Sequence, residues 1–351
     1  MLWVQSSNNS NSASPTINPL DYKREKACFM VLTKNEQLNP LIATIKNYEE
    51  HFNKNYRYPW YIFNDQPFDS QFVDVLSKEF PATEYHLLTI PKSYWSYPDW
   101  IDLNKADETR REMDRQNVIY GESESYRHMC RYWAGYFFRH TELKNFDWFW
   151  RVEPGTNLLC DINYDIFKYM NYNGKKYGFV ISIHEIPNTI ETLWESVKKY
   201  ISINSQTLSP NNLQNFITDK KADYYNLCHF WSNFEIGSLN FFRSETYVNF
   251  FEFLDKEGGI YYERWGDAPI HSIALSLFLN KTEIHFFDDI GYYHEPFTHC
   301  PLDKAVWKKN KCSCNRRVDF TFQDFSCGVE YYDAQEIIKP ASWKFFRQYQ
   351  L

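Results

Sequence analysis

Short apolar runs alternate with longer stretches of helical character in the first part of the chain. The runs ACFMVL (27–32), PWYIFND (59–65) and EYHLLTI (84–90) are separated by helix-like stretches at about 36–52 and 70–80. Because short apolar runs bounded by polar residues are typical of buried strands, this alternation predicts βαβ units. The sequence therefore predicts an α/β fold with a mostly parallel central sheet and helices on both faces.

The rest of the chain follows the same rhythm. Further strands are predicted within 147–155, 176–183 and 283–289, and further helices within 125–140, 189–200, 209–217, 245–256 and 267–278. By contrast, residues 91–121 are polar and rich in turn formers, so we expect them to be irregular. No linker interrupts the pattern, which predicts a single domain over 25–351. Residues 1–24 begin with a Ser-, Asn- and Pro-rich stretch and are predicted to be a flexible stem.

Polar side chains follow the first two predicted strands. Thr33 and Lys34 come after the first strand, and Asn64 and Asp65 end the second. Ligands of open α/β sheets bind at the carboxyl ends of the strands. These residues therefore lie where a nucleotide would bind, although each also suits an ordinary polar turn.

Composition narrows the class of partner. The formal net charge is −7 and no long Lys/Arg run occurs, which argues against a nucleic-acid groove or an anionic membrane surface. No stretch of 18 apolar residues and no signal peptide is visible. Aromatic residues make up 19% of the chain, including 12 Trp and 27 Tyr, which suits either a large core or sugar recognition.

The chain has eight cysteines, half of them crowded near the C-terminal end. They are Cys28, Cys130, Cys160, Cys228, Cys300, Cys312, Cys314 and Cys327. The C-terminal group is a candidate zinc site, but Cys312 and Cys314 are closer together than zinc ligands usually are. Disulfides are the favoured interpretation, and they indicate an oxidising compartment. The glycosylation sequons at Asn8 and Asn280 are compatible with that compartment.

One predicted helix, 125–140, brings two arginines to the same face. Arg127 and Arg131 are one turn apart. Two guanidinium groups at this spacing suit a bound diphosphate, and they equally suit a solvated helix edge.

Two residues suit a divalent cation bound to a diphosphate. Glu153 ends a hydrophobic strand just before Pro154-Gly155, and His294 lies in a turn after another strand. Such a cation needs few protein ligands because phosphate and water complete its shell, and the imidazole favours Mn²⁺ over Mg²⁺.

Two further carboxylates stand out. Glu235 lies inside the aromatic stretch YYNLCHFWSNFEIG (224–237), where a charge must be paired, hydrogen-bonded or used. Asp267 occupies a predicted helix N-cap, with Pro269 in the first turn. Neither a Ser-His-Asp arrangement nor a GxGxxG or Walker loop occurs, which makes ordinary hydrolases and kinases less favoured.

Five segments together closely resemble the fungal Golgi α-1,2-mannosyltransferases of glycosyltransferase family 15. In chain order they are SYRHMCR, FWRVEPG, YNLCHFWSNFEI, GGIYYERWGDAPIHSIA and DIGYYHEPF. The resemblance extends over about 27–346. It implies a GT-A fold, GDP-mannose as donor, Mn²⁺ as cofactor, and retaining transfer to N- or O-linked mannose chains. Members are type II Golgi membrane proteins, so we expect this chain to be a lumenal fragment whose N-terminal membrane anchor has been removed.

The resemblance also assigns roles to residues. It implies Glu153 and His294 as metal ligands, Tyr126 as the residue beside donor and acceptor, and Glu235 as the candidate nucleophile. We expect the substrates to be bound by Lys34, Arg127, Arg131, Trp231 and Asp267, with Phe234 as a further candidate wall of the mannose pocket. Glu235 would either attack the anomeric carbon or only stabilise its positive charge.

Two alternatives to a transferase stay open at this level. A glycoside hydrolase would use Glu235 with Asp267, and a carbohydrate-binding protein would stack its aromatic residues on mannosides.

Overall fold

A computed structural model describes residues 23–219 and 221–347. The strands are β1 (Ala27–Leu32), β2 (Trp60–Asn64), β3 (Tyr85–Thr89), β4 (Trp148–Val152), β5 (Asn157–Leu158), β6 (Tyr177–Phe179), β7 (Ser182–His184), β8 (Cys228–Phe230), β9 (Glu235–Ser238), β10 (Ile284–Phe286), β11 (Tyr292–His294) and β12 (Phe297–His299). The helices are α1 (Leu38–His51), α2 (Ser70–Glu79), α3 (Leu103–Arg115), α4 (Glu124–Gly135), α5 (Ile166–Tyr172), α6 (Leu193–Ile203), α7 (Gln214–Ile217), α8 (Leu239–Phe242), α9 (Glu245–Glu257), α10 (Gly259–Tyr262), α11 (Asp267–Phe278), α12 (Lys304–Lys309), α13 (Gly328–Ala334) and α14 (Trp343–Arg347). The predicted stem lies outside the described residues except for Lys23 and Arg24.

Seven strands form the central sheet, in the order β10-β6-β9-β4-β1-β2-β3. All neighbouring pairs are parallel except those of β9, which is antiparallel to both β4 and β6. The predicted mostly parallel α/β sheet is therefore confirmed. Because β9 runs in the opposite direction, its first residue, Glu235, lies at the edge where β4 ends and pairs with Arg151.

The strand β1 shows how the sequence produces two layers of helices. Its first five residues are all buried, as expected for a strand covered on both faces. Alternate side chains point to opposite faces. Phe29 and Val31 pack with α1, α2 and α5 on one face, whereas Cys28 and Met30 join the cluster of α4, α9 and α11 on the other.

Two smaller sheets complete the fold. The strands β11 and β12 form a hairpin that pairs with β5, and β7 pairs with β8. The segment predicted as a turn around His294 is therefore the hairpin itself.

The helix α3 contradicts the expectation that residues 91–121 are irregular. Within α3 only Ala106 and Met113 are buried, so no apolar stripe marks it in the sequence. Its stability comes instead from the Asp102 side chain, which caps its first turn, and from intrahelical ion pairs such as Arg110–Asp107 at 2.8 Å. A helix held by caps and charges lacks the periodicity on which the prediction depended.

Six cysteines form three disulfides, which confirms the favoured interpretation over zinc. The pairs are Cys160–Cys312, Cys228–Cys327 and Cys300–Cys314. Cys28 and Cys130 are buried thiols. Within the part of the chain that the structure describes, no helix has both the length and the apolar character needed to cross a bilayer.

Candidate active site

A cavity of about 340 Å³ opens at the carboxyl ends of β1, β2 and β4; we call it the edge cavity. Thr33 and Lys34 after β1, Asp65 after β2 and Glu153 after β4 line it. This is the edge at which open α/β sheets bind ligands. The structure thus places these strand-end residues together, whereas Asn64 is only 1% exposed and does not line the cavity.

A tight turn holds Glu153 at this edge. All five residues of β4 are buried, which fixes the register of the strand. After Pro154, Gly155 adopts φ +95°, a conformation that residues with a Cβ rarely adopt. The hydroxyl of Thr156 donates to the Glu153 carbonyl at 2.7 Å, and the Gly155 N–H donates to Thr44 Oγ1 at 2.9 Å. The backbone that carries Glu153 is therefore fixed by contacts on both sides.

The β11–β12 hairpin brings His294 to Glu153. The distance from His294 Nε2 to Glu153 Oε2 is 3.5 Å, and the two side chains are 27% and 32% exposed. His294 Nδ1 lies 2.9 Å from the Glu295 carbonyl oxygen, which only accepts, so Nδ1 carries the hydrogen. In the neutral imidazole Nε2 is then the free ligand atom. Metal bonds to such atoms are about 2.0–2.2 Å, so both atoms are close enough to bind one cation.

The charges of this pair are coupled. Burial opposes ionisation of Glu153, but Arg151 and His294 outweigh it and lower the pKa of Glu153 to about 2. Burial also opposes a charge on His294, and the Glu153 carboxylate outweighs it and raises the pKa of His294 above 6.5. A cation at this pair therefore competes with a proton on His294.

Arg151 lies at the centre of a buried group of charges that we call the Arg151 cluster: Arg151, Glu153, Glu235 and Asp267. Arg151 Nη2 lies 2.7 Å from Glu153 Oε1, and Nη1 lies 2.5 Å from Asp267 Oδ2 and 3.7 Å from Glu235 Oε1. The guanidinium is 4.2 Å from the ring centroid of Trp133. One positive charge faces three carboxylates, and a proton held between Glu235 and His271, 3.1 Å apart, offsets one of them, so an excess of one negative charge remains. Such an excess is costly unless a cation compensates it.

Glu235 is fully buried, at 0% exposure, and does not line the edge cavity. Its Oε2 contacts the Tyr177 hydroxyl at 3.2 Å and His271 Nδ1 at 3.1 Å. His271 Nε2 also faces an acceptor, the Trp133 carbonyl at 2.9 Å. The imidazole therefore carries hydrogens on both nitrogens, or Glu235 carries the shared proton. Glu235 therefore does not face the edge cavity in this structure, and its role as nucleophile stays a prediction.

Asp267 corrects the interpretation as a helix cap. The N-cap of α11 is Gly266, and no side chain caps the helix. Asp267 Oδ2 instead accepts from Arg151 and, at 2.8 Å, from the Ser232 hydroxyl. The carboxylate is 4% exposed, and it pairs with the buried guanidinium of Arg151 instead of accepting from the N–H groups of the first helical turn.

Arg127 does not lie on a solvated edge, so that interpretation is wrong. It is 0% exposed and donates to the carbonyl oxygens of Gly121 at 2.8 Å, Ser123 at 3.0 Å and Glu263 at 3.1 Å. These contacts join α4 to two loops and leave the guanidinium outside the edge cavity.

Arg131 is likewise buried, at 3% exposure. It forms a bidentate pair with Asp255, with distances of 2.8 and 2.7 Å, and also donates to the Tyr136 hydroxyl. It does not line the edge cavity either. The geometry of both arginines argues against the predicted diphosphate clamp.

Tyr126, on the same helix, does line the edge cavity. Its ring stacks on Tyr120 at 4.5 Å, and the Arg264 guanidinium lies 5.2 Å from its centroid. Burial raises the pKa of Tyr126 well above its ordinary value, so the hydroxyl keeps its proton. Tyr126 is thus fixed as a neutral hydrogen-bonding group.

Trp231 is half-buried beside Glu153 and His294, and it does not line the edge cavity. Its ring packs edge-on against His294 at 4.6 Å and against Phe297 at 5.6 Å. Phe234 is 0% exposed and packs against Trp150, so its predicted role as a pocket wall is wrong.

Comparison with known proteins places the chain in a family. A family model described as glycolipid 2-alpha-mannosyltransferase matches residues 4–336. Glycolipid 2-alpha-mannosyltransferase 2 of Candida albicans is 51% identical over 327 residues, covering 93% of this chain and 70% of that protein. The glycolipid 2-alpha-mannosyltransferase of Saccharomyces cerevisiae is 51% identical over 325 residues, covering 93% and 73%. The chain belongs to the glycolipid 2-alpha-mannosyltransferase family. The resemblance of the five motifs to this family is confirmed, and so is the predicted enzyme class, a glycosyltransferase.

Two solved structures share the fold of this mannosyltransferase. Core-mannan synthase A (CmsA/Ktr4) of Aspergillus fumigatus, in its Mn/GDP form, matches with a TM-score of 0.83 and 37% identity, covering 91% of this chain and 87% of that chain. Ktr4p of S. cerevisiae in complex with GDP matches with a TM-score of 0.83 and 36% identity, covering 90% and 83%. The likeness confirms the predicted GT-A-type fold.

Sequence reasoning missed several members of the mannosyltransferase site. Arg151, Ser232, His271 and Tyr177 contact the predicted carboxylates, and none of them was a candidate. One signal was available for Arg151, because a cation inside the buried run DWFWRV must be paired. The others reach the cluster only through the antiparallel placement of β9 and the start of α11.

Proposed function

We propose that this mannosyltransferase transfers mannose from GDP-mannose to the 2-hydroxyl of an α-mannoside on N- or O-linked glycans. We further propose that it requires Mn²⁺ and retains the anomeric configuration of the donor. The observation that carries the proposal is the Glu153–His294 pair, 3.5 Å apart at the edge cavity. The Mn/GDP form of CmsA/Ktr4, which shares this fold, supports it.

The residues present fit a divalent cation. One carboxylate oxygen and one imidazole nitrogen are available, and the excess negative charge of the Arg151 cluster attracts a cation. When bound, Mn²⁺ supplies a Lewis acid that stabilises negative charge on the diphosphate leaving group. Arg151 holds the Glu153 carboxylate in the orientation in which it faces His294.

The edge cavity fits a nucleotide sugar. Its volume lies in the range of small-molecule sites, and its walls include the aromatic rings of Trp95, Tyr120 and Tyr126. Aromatic faces suit a base or the C–H face of a sugar. Lys34 is exposed at the rim, where its ammonium faces an anionic ligand.

For Glu235 we propose electrostatic support rather than covalent catalysis. The carboxylate is fully buried and held by Tyr177, His271 and Arg151, so nothing in this conformation exposes it to a sugar. A fixed negative charge behind the site stabilises the oxocarbenium-like transition state. The acceptor then enters on the face that the diphosphate leaves, with the Tyr126 hydroxyl positioned to hydrogen-bond the reacting groups. Incubation with a slow fluorinated donor followed by intact-mass analysis tests this, and a mannosylated Glu235 would contradict it.

The hydrolase alternative loses its geometric basis. Glu235 and Asp267 are 0% and 4% exposed and both contact Arg151, so they do not flank a space for a glycosidic bond.

We also propose the Golgi lumen as the site of action. The three disulfides suit an oxidising secretory compartment, and the family consists of fungal glycosylation enzymes. We propose that the full-length protein reaches the membrane through an N-terminal anchor.

The decisive experiment combines binding with product analysis. Calorimetry of GDP is performed with Mn²⁺ and with a chelator, for the unchanged protein and for Glu153→Ala and His294→Ala. We expect GDP binding that collapses without metal and in both variants. A panel of α-mannosides with GDP-mannose and Mn²⁺ then gives the linkage of the product. GDP binding that is indifferent to the chelator would overturn the metal assignment, and a product without an α-1,2 bond would overturn the linkage.

A further inference from the structure

A second cavity, of about 250 Å³, lies at the same edge of the central sheet, beside β10. It is enclosed by the end of β10, β12, α12 and α13, and we call it the hairpin cavity. The pairings of β10 with β6, β6 with β9 and β9 with β4 make β10 parallel to β4. The carboxyl ends of β10 and β4 therefore share one edge of the sheet.

Two buried polar side chains, His299 and Tyr332, line the hairpin cavity, and each has a polar atom without a hydrogen bond to another described residue. His299 is 2% exposed; its Nδ1 donates to the Ile290 carbonyl at 2.6 Å, which leaves Nε2 as an acceptor. Tyr332 is 8% exposed. Among the described residues neither His299 Nε2 nor the Tyr332 hydroxyl has a hydrogen-bond partner. Because both side chains line the cavity, these two atoms are available to a ligand or to water there.

The remaining lining fits a neutral polyhydroxylated ligand. Phe286 and Tyr332 contribute aromatic surface, Asp288 contributes a carboxylate, and Asp303 contributes another whose Oδ1 also caps α12. The lining residues include no Lys or Arg, which argues against a phosphate or a nucleotide. Carboxylates accept hydrogen bonds from vicinal hydroxyl groups, while aromatic rings cover the C–H faces of a sugar.

The walls of the hairpin cavity are braced. Cys300, which follows His299, is linked to Cys314, and Cys312 is linked to Cys160 beside β5. These bridges fix β12 and α12 relative to the small sheet that carries His294. A preformed cavity lowers the entropic cost of binding.

The two cavities are close enough for one oligosaccharide. In the sheet β10 is three strand positions from β4, which is about 14 Å at roughly 4.8 Å per strand. The β11–β12 hairpin connects them, because His294 lies 3.5 Å from Glu153 of the edge cavity and His299 lines the hairpin cavity. A glycan of a few residues spans this distance.

We propose that the hairpin cavity is a second carbohydrate site, which binds a mannosyl unit of an acceptor or product chain several residues away from the reacting end. This inference rests on the proposed function for the identity of the sugar. Its consequence is a preference for extended acceptors, because a chain held at two places leaves more slowly.

The test compares acceptor lengths in matched variants. Asp288→Asn and Tyr332→Phe remove one hydrogen-bonding group each, and their neighbours Asp289→Asn and Tyr331→Phe are controls. The Asp289 carboxylate accepts from the Tyr164 hydroxyl at 3.2 Å, and the Tyr331 hydroxyl accepts from Gln335 at 3.3 Å. Each control group therefore already has a hydrogen-bond partner within the protein. With an α-mannotetraose acceptor we expect kcat/KM to fall about 3- to 10-fold in the two cavity variants, through KM. With methyl α-mannoside it is unchanged, and the controls change neither.

Direct binding separates this inference from the proposed function. Mannotetraose is titrated by NMR into Glu153→Ala protein without nucleotide, and crystals are soaked with the same sugar. Sugar signals and density at the hairpin cavity support the inference even if no transfer from GDP-mannose is found. An equal loss on both acceptors, no loss on the long one, or an empty soaked cavity would overturn it while leaving the transferase proposal standing.

Discussion

Arg151 and Arg131 are almost equally buried, at 2% and 3% exposure, yet their surroundings differ in charge balance. Arg131 faces one carboxylate, that of Asp255, in a bidentate pair whose charges cancel. Arg151 faces the carboxylates of Glu153, Glu235 and Asp267, so its cluster keeps an excess of one negative charge even after the proton shared by Glu235 and His271 is counted. The balanced pair joins α4 to α9, whereas the unbalanced cluster lies where we propose that a cation binds. Burial alone does not distinguish a scaffold arginine from a site arginine.

The largest expected effect is on stability, at the balanced pair. Arg131→Met leaves Asp255 buried without a partner, and we expect the free energy of unfolding to fall by about 3–5 kcal/mol. Urea unfolding measures this, and GDP affinity of the folded protein should not change. The control Arg115→Met breaks an exposed pair with Glu112 and should leave the free energy of unfolding almost unchanged. A loss of GDP affinity at unchanged stability would restore the diphosphate clamp and break the comparison.

At the unbalanced cluster we expect the effect on catalysis instead. Glu153→Gln removes the proposed metal ligand at nearly constant shape, and kcat should fall about 10²- to 10³-fold. Activity is measured well below the unfolding temperature, because loss of the ion pair with Arg151 also lowers stability. Glu295→Gln, next to His294, is the control in steady-state assays. Full activity of Glu153→Gln would show that the excess charge has no catalytic purpose.

Charge balance itself is tested by Asp267→Asn. The substitution removes the excess negative charge while Ser232 keeps a partner, and we expect Mn²⁺ affinity to fall about 10- to 100-fold. Paramagnetic titration of free Mn²⁺ measures it. Asp255→Asn is the counterpart in the balanced pair, where stability should fall and Mn²⁺ affinity should stay the same. Equal metal affinity in both variants would contradict the argument from charge.

A smaller, pH-dependent effect separates the two regions further. Burial lowers the pKa of His140 to about 4, below its ordinary value of 6.5. The unfolded chain therefore takes up a proton first, so stability is complete above pH 6.5 and is lost as the pH falls towards 4. Between pH 7.5 and 5 the loss is about 2 kcal/mol. The contribution of Glu153, with its pKa of about 2, is lost only below pH 4.5.

The experiment for this effect is urea unfolding across pH. His140→Gln should flatten the dependence between pH 6.5 and 4, whereas His86→Gln, at an exposed position, should leave it intact. An unchanged slope in His140→Gln would show that the imidazole is not buried in its neutral form.

The predictable part of the fold follows the distribution of apolar residues. The strand β1 was predicted with its observed bounds because every residue of ACFMVL suits a strand covered on both faces. The helix α3 was missed because its two buried residues are too few to set a period. The local pattern of apolar residues therefore predicts elements that are buried, and it does not detect elements that bury few side chains.

The predictable part of the site follows strand ends and motifs. Glu153 was predicted from the end of β4 and His294 from a turn after a strand, and the structure brings them together. Arg151 was not recognised because a single cation in an apolar run gives no indication of its partners. Those partners depend on β9 running against β4 and on α11 beginning beside it, and both are tertiary facts.

The Cys160–Cys312 bridge has a consequence for the covalent topology of the molecule. It closes residues 160–312 into a ring that contains β9 and α11. A single proteolytic cut anywhere inside this ring leaves both fragments joined, and they separate on a gel only after reduction. A nick within the ring thus leaves Glu235, Asp267 and His294 covalently attached to the rest of the enzyme, and surface loops such as the one at 221–224 become places to insert a tag or a label without releasing either piece.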